Sequence, residues 1–180
     1  MKTYLVNLIG GPASGKTCLA ALLFAKLKIQ GYIVEYVQEV AKGLVWMEDY
    51  EMLNNQYWVS QKQFNILNCL QEKVQFIITD GCMLHGIYYN RNNEGNVSNV
   101  DKTEKYIWDC YHKFHNINIF LIRGDYPYEQ AGRQQSEEES RCIDSFFLDL
   151  LKKRNLPFES FKAKPEVDDM IEYILKQTNT

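Results

Sequence analysis

Apolar residues along this chain fall into two kinds of run, short unbroken ones and longer stripes, and the two kinds alternate. Tyr4–Ile9 is nearly all apolar, rich in strand formers, and ended by Gly10-Gly11-Pro12. Unbroken apolarity is the pattern of a strand covered on both faces. Over Lys16–Ile29 the residues Leu19, Leu22, Leu23 and Leu27 share one stripe, with Gly31 just beyond. That is helical spacing closed by a glycine. The same reading predicts strands over 32–36, 76–79, 118–122 and 158–161. It predicts mostly helix over 37–73, where Tyr57, Phe64 and Leu67 share a face, and helices over 102–115 and 167–177. Ser136 with Glu139 three residues on is a capping box that opens another helix, striped by Ile143, Phe147, Leu150 and Leu151. The polar stretches 90–99 and 123–135 read as loops. Strands alternating with helices predict an α/β fold, a five-stranded parallel sheet with helices on both faces.

Composition narrows this picture. A chain of 180 residues, 46% hydrophobic and 24% charged, suits one domain over 1–180. Twenty Lys+Arg against 23 Asp+Glu leave a net charge of −3. That argues against a dedicated duplex-DNA binder but leaves a local basic groove open. No apolar run approaches the ~18–20 residues of a membrane span, and the N-terminus runs straight into the glycine loop. Neither a signal peptide nor a membrane partner is expected. The cysteines (Cys18, Cys69, Cys82, Cys110, Cys142) are odd in number and scattered. They read as reduced, buried thiols of a cytoplasmic protein.

The chemistry begins at Gly10-Gly11-Pro12-Ala13-Ser14-Gly15-Lys16-Thr17, which is G-x-x-x-x-G-K-[ST] between a strand and a helix. Glycines let successive N–H groups turn inward around phosphate, and the helix N-terminus adds partial positive charge. Lys16 can reach the β- and γ-phosphates of ATP, and the Thr17 hydroxyl can ligate Mg²⁺. Cys18, next in line, joins the expected nucleotide contacts. Asp80, ending the third strand, reads as the metal carboxylate or as a turn Asp before Gly81. Arg123, Arg133 and Arg141 surround the irregular segment after the fourth strand. They read as a lid over about 123–141 whose guanidinium groups meet a triphosphate, Arg123 as a nucleotide contact, or as surface ion pairs with Glu137-Glu138-Glu139. Glu39, after the second strand, reads as a base or hydrogen-bond acceptor for a hydroxyl, or as an ordinary helix-start carboxylate. Trp46, Tyr50, Tyr57, Trp58, Tyr88 and Tyr89 flank that side and read as core packing or as base-stacking surface. Cys110, His112 and His115 form C-x-H-x-x-H, but helical geometry points Cys110 and His112 apart.

These residues carry a resemblance. The chain resembles small P-loop kinases of the type found in the ribosylnicotinamide kinase domain of bacterial NAD-salvage regulators, with related phage proteins labelled ATPase or nucleotide kinase. The likeness rests on the glycine loop, on Glu39-Val40-Ala41-Lys42 where such kinases tend to carry E-x-x-R, on Ile77-Ile78-Thr79-Asp80, and on Pro127 to Arg133 followed by Arg141-Cys142-Ile143-Asp144. It implies sheet order 2-3-1-4-5, Glu39 at the acceptor, Asp80 at the metal and Arg133 in the lid. It implies a kinase using ATP and Mg²⁺ on a hydroxyl of a nucleoside, nucleotide or related small molecule. Phage relatives imply a second acceptor, a 5-hydroxymethyl pyrimidine within DNA, with Arg91, Lys102, Lys105 and Lys113 as the candidate basic rim. A third reading is an ATPase or nucleotide-gated binding module with no acceptor.

Overall fold

The computed structural model describes residues 1–125 and 127–178. Five strands form one sheet: β1 (Tyr4–Ile9), β2 (Val34–Val37), β3 (Phe76–Thr79), β4 (His115–Ile122) and β5 (Glu159–Lys162), in the order β2-β3-β1-β4-β5. Every pairing is parallel. Tyr4 stands beside Phe76 on one side and His115 on the other, and Ile119 beside Glu159. This is the α/β architecture of P-loop NTPases.

Successive side chains of a strand point to opposite faces, and each face here has its own core. Leu5, Ile9, Ile77 and Phe120 point one way. They pack against α4 (Gln56–Asn68), α5 (His85–Asn92), α6 (Val100–Tyr111) and α7 (Glu137–Lys153) through residues such as Leu67, Ile87, Ile107 and Phe147. Val6, Leu8, Ile78 and Ile119 point the other way, onto Leu23 of α1 (Lys16–Ile29) and Ile174 of α8 (Asp168–Thr178). The short α2 (Val40–Trp46) and α3 (Tyr50–Leu53) join α4 around Leu44, Leu53 and Val59.

Several boundaries differ from expectation. The helical stretch over 37–73 is three helices, because Glu48 turns left-handed (φ 55°) and Asp49 and Asn55 each cap a new start with a side-chain oxygen. The expected loop at 90–99 begins only after Asn92. Asn90 is buried and donates to the Val100 carbonyl at 2.8 Å, which holds the last turn of α5. The helix expected over 102–115 starts at Val100, capped by Asn99, and ends at Tyr111, so that His115 can pair with Tyr4 in β4. The cysteine expectation needs correction. Cys82 and Cys110 are buried, but Cys18, Cys69 and Cys142 are exposed on helix flanks and ends that the core does not need. Burial pushes the Cys82 thiol up to about 12, so it is inert at neutral pH.

Among the described residues no helix is long and apolar enough to cross a membrane.

Candidate functional site

All parallel strands release their chains at one edge, and there the sequence-predicted residues gather. The loop of residues 10–17 joins β1 to α1. Ala13 (φ 56°) and Gly15 (φ 94°) take left-handed conformations, which turn consecutive amides into a concave nest for phosphate. Lys16 is buried, and its Nζ donates to the Gly10 and Gly11 carbonyls at 2.9 and 2.7 Å. Burial lowers its pKa, opposed by the carboxylates of Glu39, Asp80 and Asp144.

Asp80 follows β3 and is almost wholly buried. Its Oδ2 accepts from the Thr17 hydroxyl at 2.6 Å and the Tyr36 hydroxyl at 3.0 Å; its Oδ1 accepts from the Glu39 backbone N–H at 3.0 Å. A threonine hydroxyl touching a buried carboxylate at the start of a phosphate-loop helix is a hard-oxygen donor set, which suits Mg²⁺. Tyr36 was not legible as a site residue. Its only signal was a tyrosine in the strand beside β3, where it pairs with Ile78. Burial and Asp80 push its phenol strongly up, so it remains a donor.

Glu39 is the first residue before α2 and lines a cavity of about 640 Å³ that opens from the phosphate loop. Burial raises its pKa; Lys16 pulls the other way. Lys42, one turn on, places Nζ 3.4 Å from the Thr17 hydroxyl.

The arginines divide. Arg133 lines the cavity, donates to the Glu129 carbonyl and lies over the Tyr128 ring at 5.9 Å. Arg141 is exposed, pairs with Glu137 at 2.7 Å along α7, and does not line the cavity. Arg123 reaches the loop from behind. Its Nε donates to Asp144 Oδ2 at 2.5 Å, Nη1 to the Pro12 carbonyl at 2.9 Å, and Nη2 to Ser140 Oγ at 2.5 Å. Asp144 Oδ1 in turn accepts the Gly11 N–H at 2.6 Å. The guanidinium therefore braces the loop against α7 instead of facing the cavity. Asp144 and Ser140 are the partners that sequence reasoning missed, because nothing in their spacing links them to residues 11 and 12.

Of the aromatics, Trp46, Tyr88 and Tyr89 line the cavity. Tyr57 packs on Tyr106 at 5.1 Å, Trp58 joins the small cluster around Leu44, and Tyr50 is exposed. His112 stacks on Trp108 at 5.7 Å, while Cys110 is buried on another side of α6.

Gly132 fixes how the 127–135 segment meets α2. Its φ is +71°, and a Cβ there would stand 2.5 Å from Trp46 Cζ2. Gly132→Ala is expected to push this segment off Trp46. The readout is indole fluorescence, shifting to the red with little change in melting temperature, since both groups lie outside the main cores.

The comparisons accord with this geometry. No curated protein matches the chain. A family model described as an AAA domain matches residues 5–166, from within β1 into the last loop before α8. Nucleotide binding at the phosphate loop, with ATP and Mg²⁺ as the usual ligands of such domains, follows from that match and from the nest around Lys16. The chain belongs to the AAA-domain family of P-loop NTPases.

Proposed function

We propose that the protein is an ATP-dependent kinase acting on a hydroxyl of a small molecule, with the 127–135 segment that carries Arg133 as its lid. One observation carries this reading. Glu39 lines the cavity while its own backbone N–H is fastened to Asp80, so the carboxylate facing an acceptor is registered to the carboxylate facing the metal. A hydrolase needs room for one water; this cavity continues well past the loop to α3, α4 and α5.

The nest amides and Lys16 bind the β- and γ-phosphates, and Lys16 leaves the Gly10 and Gly11 carbonyls to do so. Thr17 and Asp80 would hold Mg²⁺, which when bound would supply positive charge to offset that on the phosphate oxygens. Tyr36 and the Glu39 amide keep Asp80 oriented. Arg133 faces the transferring group from the lid. The acceptor oxygen forms the new bond to the γ-phosphorus as the bond to the β,γ-bridging oxygen breaks. That electron pair leaves with ADP, and the hydroxyl proton passes to Glu39.

Since burial raises the Glu39 pKa, the proton-accepting form accumulates only above the ordinary carboxylate range. kcat is expected to climb with pH through that raised value and then level. Glu39→Gln should lower kcat by roughly 10²-fold or more and abolish the climb. A pH–rate profile of both proteins checks this.

γ-Labelled ATP with a panel of hydroxyl-bearing molecules tests the kinase reading. Label transfer supports it; hydrolysis with no transfer to any acceptor favours the ATPase alternative. The DNA-base alternative gains nothing from the expected basic rim. Arg91 is bidentate to Glu104, Lys105 pairs with Asp109, and Lys102 and Lys113 lie over the Tyr57 and Phe64 rings.

A further inference from the structure

The far wall of the cavity differs in chemistry from the phosphate side. α3, α4, α5 and the turn after them supply apolar surface from Leu53 and Val59, and buried polar groups from Gln56, Ser60 and His85. Among the described residues, the one charged side chain this wall contributes is Glu94, a carboxylate. The cations that line the cavity lie elsewhere: Lys16 in the loop, Lys42 beside Thr17, and Arg133 on the 127–135 segment.

His85 is the unexplained member. It opens α5, is 5% exposed, and packs its ring on Phe147 at 5.0 Å. Its Nε2 is buried with no hydrogen-bond partner among the described residues. Leaving such a group unsatisfied is costly, and a ligand group bonding the ring would remove that cost. Burial and the nearby Lys16 hold the ring neutral, so it offers one donor and one acceptor.

A phosphomonoester acceptor would bring a second dianion to a wall that has no cation and already faces Glu39 and Glu94. Its lost hydration would go uncompensated. An uncharged ring or amide with a hydroxyl meets donors, acceptors and apolar surface in the proportions a small-ligand site provides.

We propose that the phosphoryl acceptor is an uncharged, nucleoside-like alcohol seated against α3–α5, and that His85 is a direct binding residue for it. This rests on the kinase reading. The intact chain, loaded with Mg²⁺ and a non-hydrolysable ATP analogue, is titrated with thymidine, uridine, cytidine and adenosine and with the 5′-monophosphate of each. At least one nucleoside is expected to bind ten-fold or more tightly than its own monophosphate. His85→Ala should weaken that binding ten-fold or more, and His85→Gln, which keeps a neutral donor and acceptor, should restore part of it. Tighter binding of the monophosphates, no binding by any nucleoside, or His85→Ala binding as wild type does would overturn the proposal. Label transfer from ATP to a monophosphate would sink this inference and leave the kinase standing. A nucleoside that binds but is never phosphorylated would sink the kinase and leave the wall's selectivity standing.

Discussion

Lys16→Ala removes nearly all phosphoryl turnover, by about 10²–10³-fold or more, and leaves the fold intact. The ammonium is buried beside the loop and held by two of the loop's own carbonyls. It is therefore already stripped of water and stands where, on the proposed reading, the β- and γ-phosphates arrive. In a site of low effective dielectric such a charge acts far more strongly on the developing phosphoryl charge than it would in water. The fold loses little in exchange. Gly10 lines the cavity, so water can replace the ammonium there. Removing a desolvated cation also relieves a cost of its own. The melting temperature is expected to stay within about 4 °C of wild type, the equivalent of ~1–2 kcal/mol in a chain of this size. Turnover of labelled ATP and calorimetry together check this. A variant that kept turnover within ten-fold of wild type would separate the loop from the chemistry.

Arg123→Ala is expected to have the opposite profile, a large stability loss that carries function with it. Arg123 is 12% exposed and Asp144 17%, so the pair sits mostly out of water. Deleting the guanidinium leaves Asp144, among the described residues, with the Gly11 N–H as its hydrogen-bond donor. It also strips a donor from the Pro12 carbonyl. Breaking such a pair from one side costs about 3–5 kcal/mol when fully buried; residual exposure reduces this to roughly 2–4 kcal/mol here. That corresponds to a melting temperature lower by ~5–12 °C. Nucleotide affinity should fall as well, since the loop loses its brace on α7. Asp144→Ala should do similar harm, and the double variant little more than either single one, because the two side chains act as a unit. Fully additive losses would refute the brace.

Tyr4–Ile9, Lys16–Ile29 and Phe76–Thr79 have the same limits in sequence and in structure, because each ends at a local signal: glycine, proline or an Asp-Gly turn. Elements without such punctuation moved by a few residues. Strand 32–36 became Val34–Val37, and 118–122 grew to His115–Ile122, since strand limits are set by the neighbour's register. At the site, the loop and Asp80 were readable because nucleotide chemistry imposes fixed residue types at fixed spacing.

The sequence by itself determined the alternating α/β pattern, the phosphate loop and the candidates Glu39, Asp80 and Arg133, since these rest on local periodicity and short motifs. Only the tertiary structure decided that Arg123 faces Asp144 and Ser140 rather than the cavity, that Arg141 stays on the surface, that Tyr36 orients Asp80, and that among the described residues His85 Nε2 has no hydrogen-bond partner on the far wall. The Arg123 and Tyr36 contacts join residues 17 to 44 positions apart. Their existence depends on which strand neighbours which, and no short window of sequence encodes that.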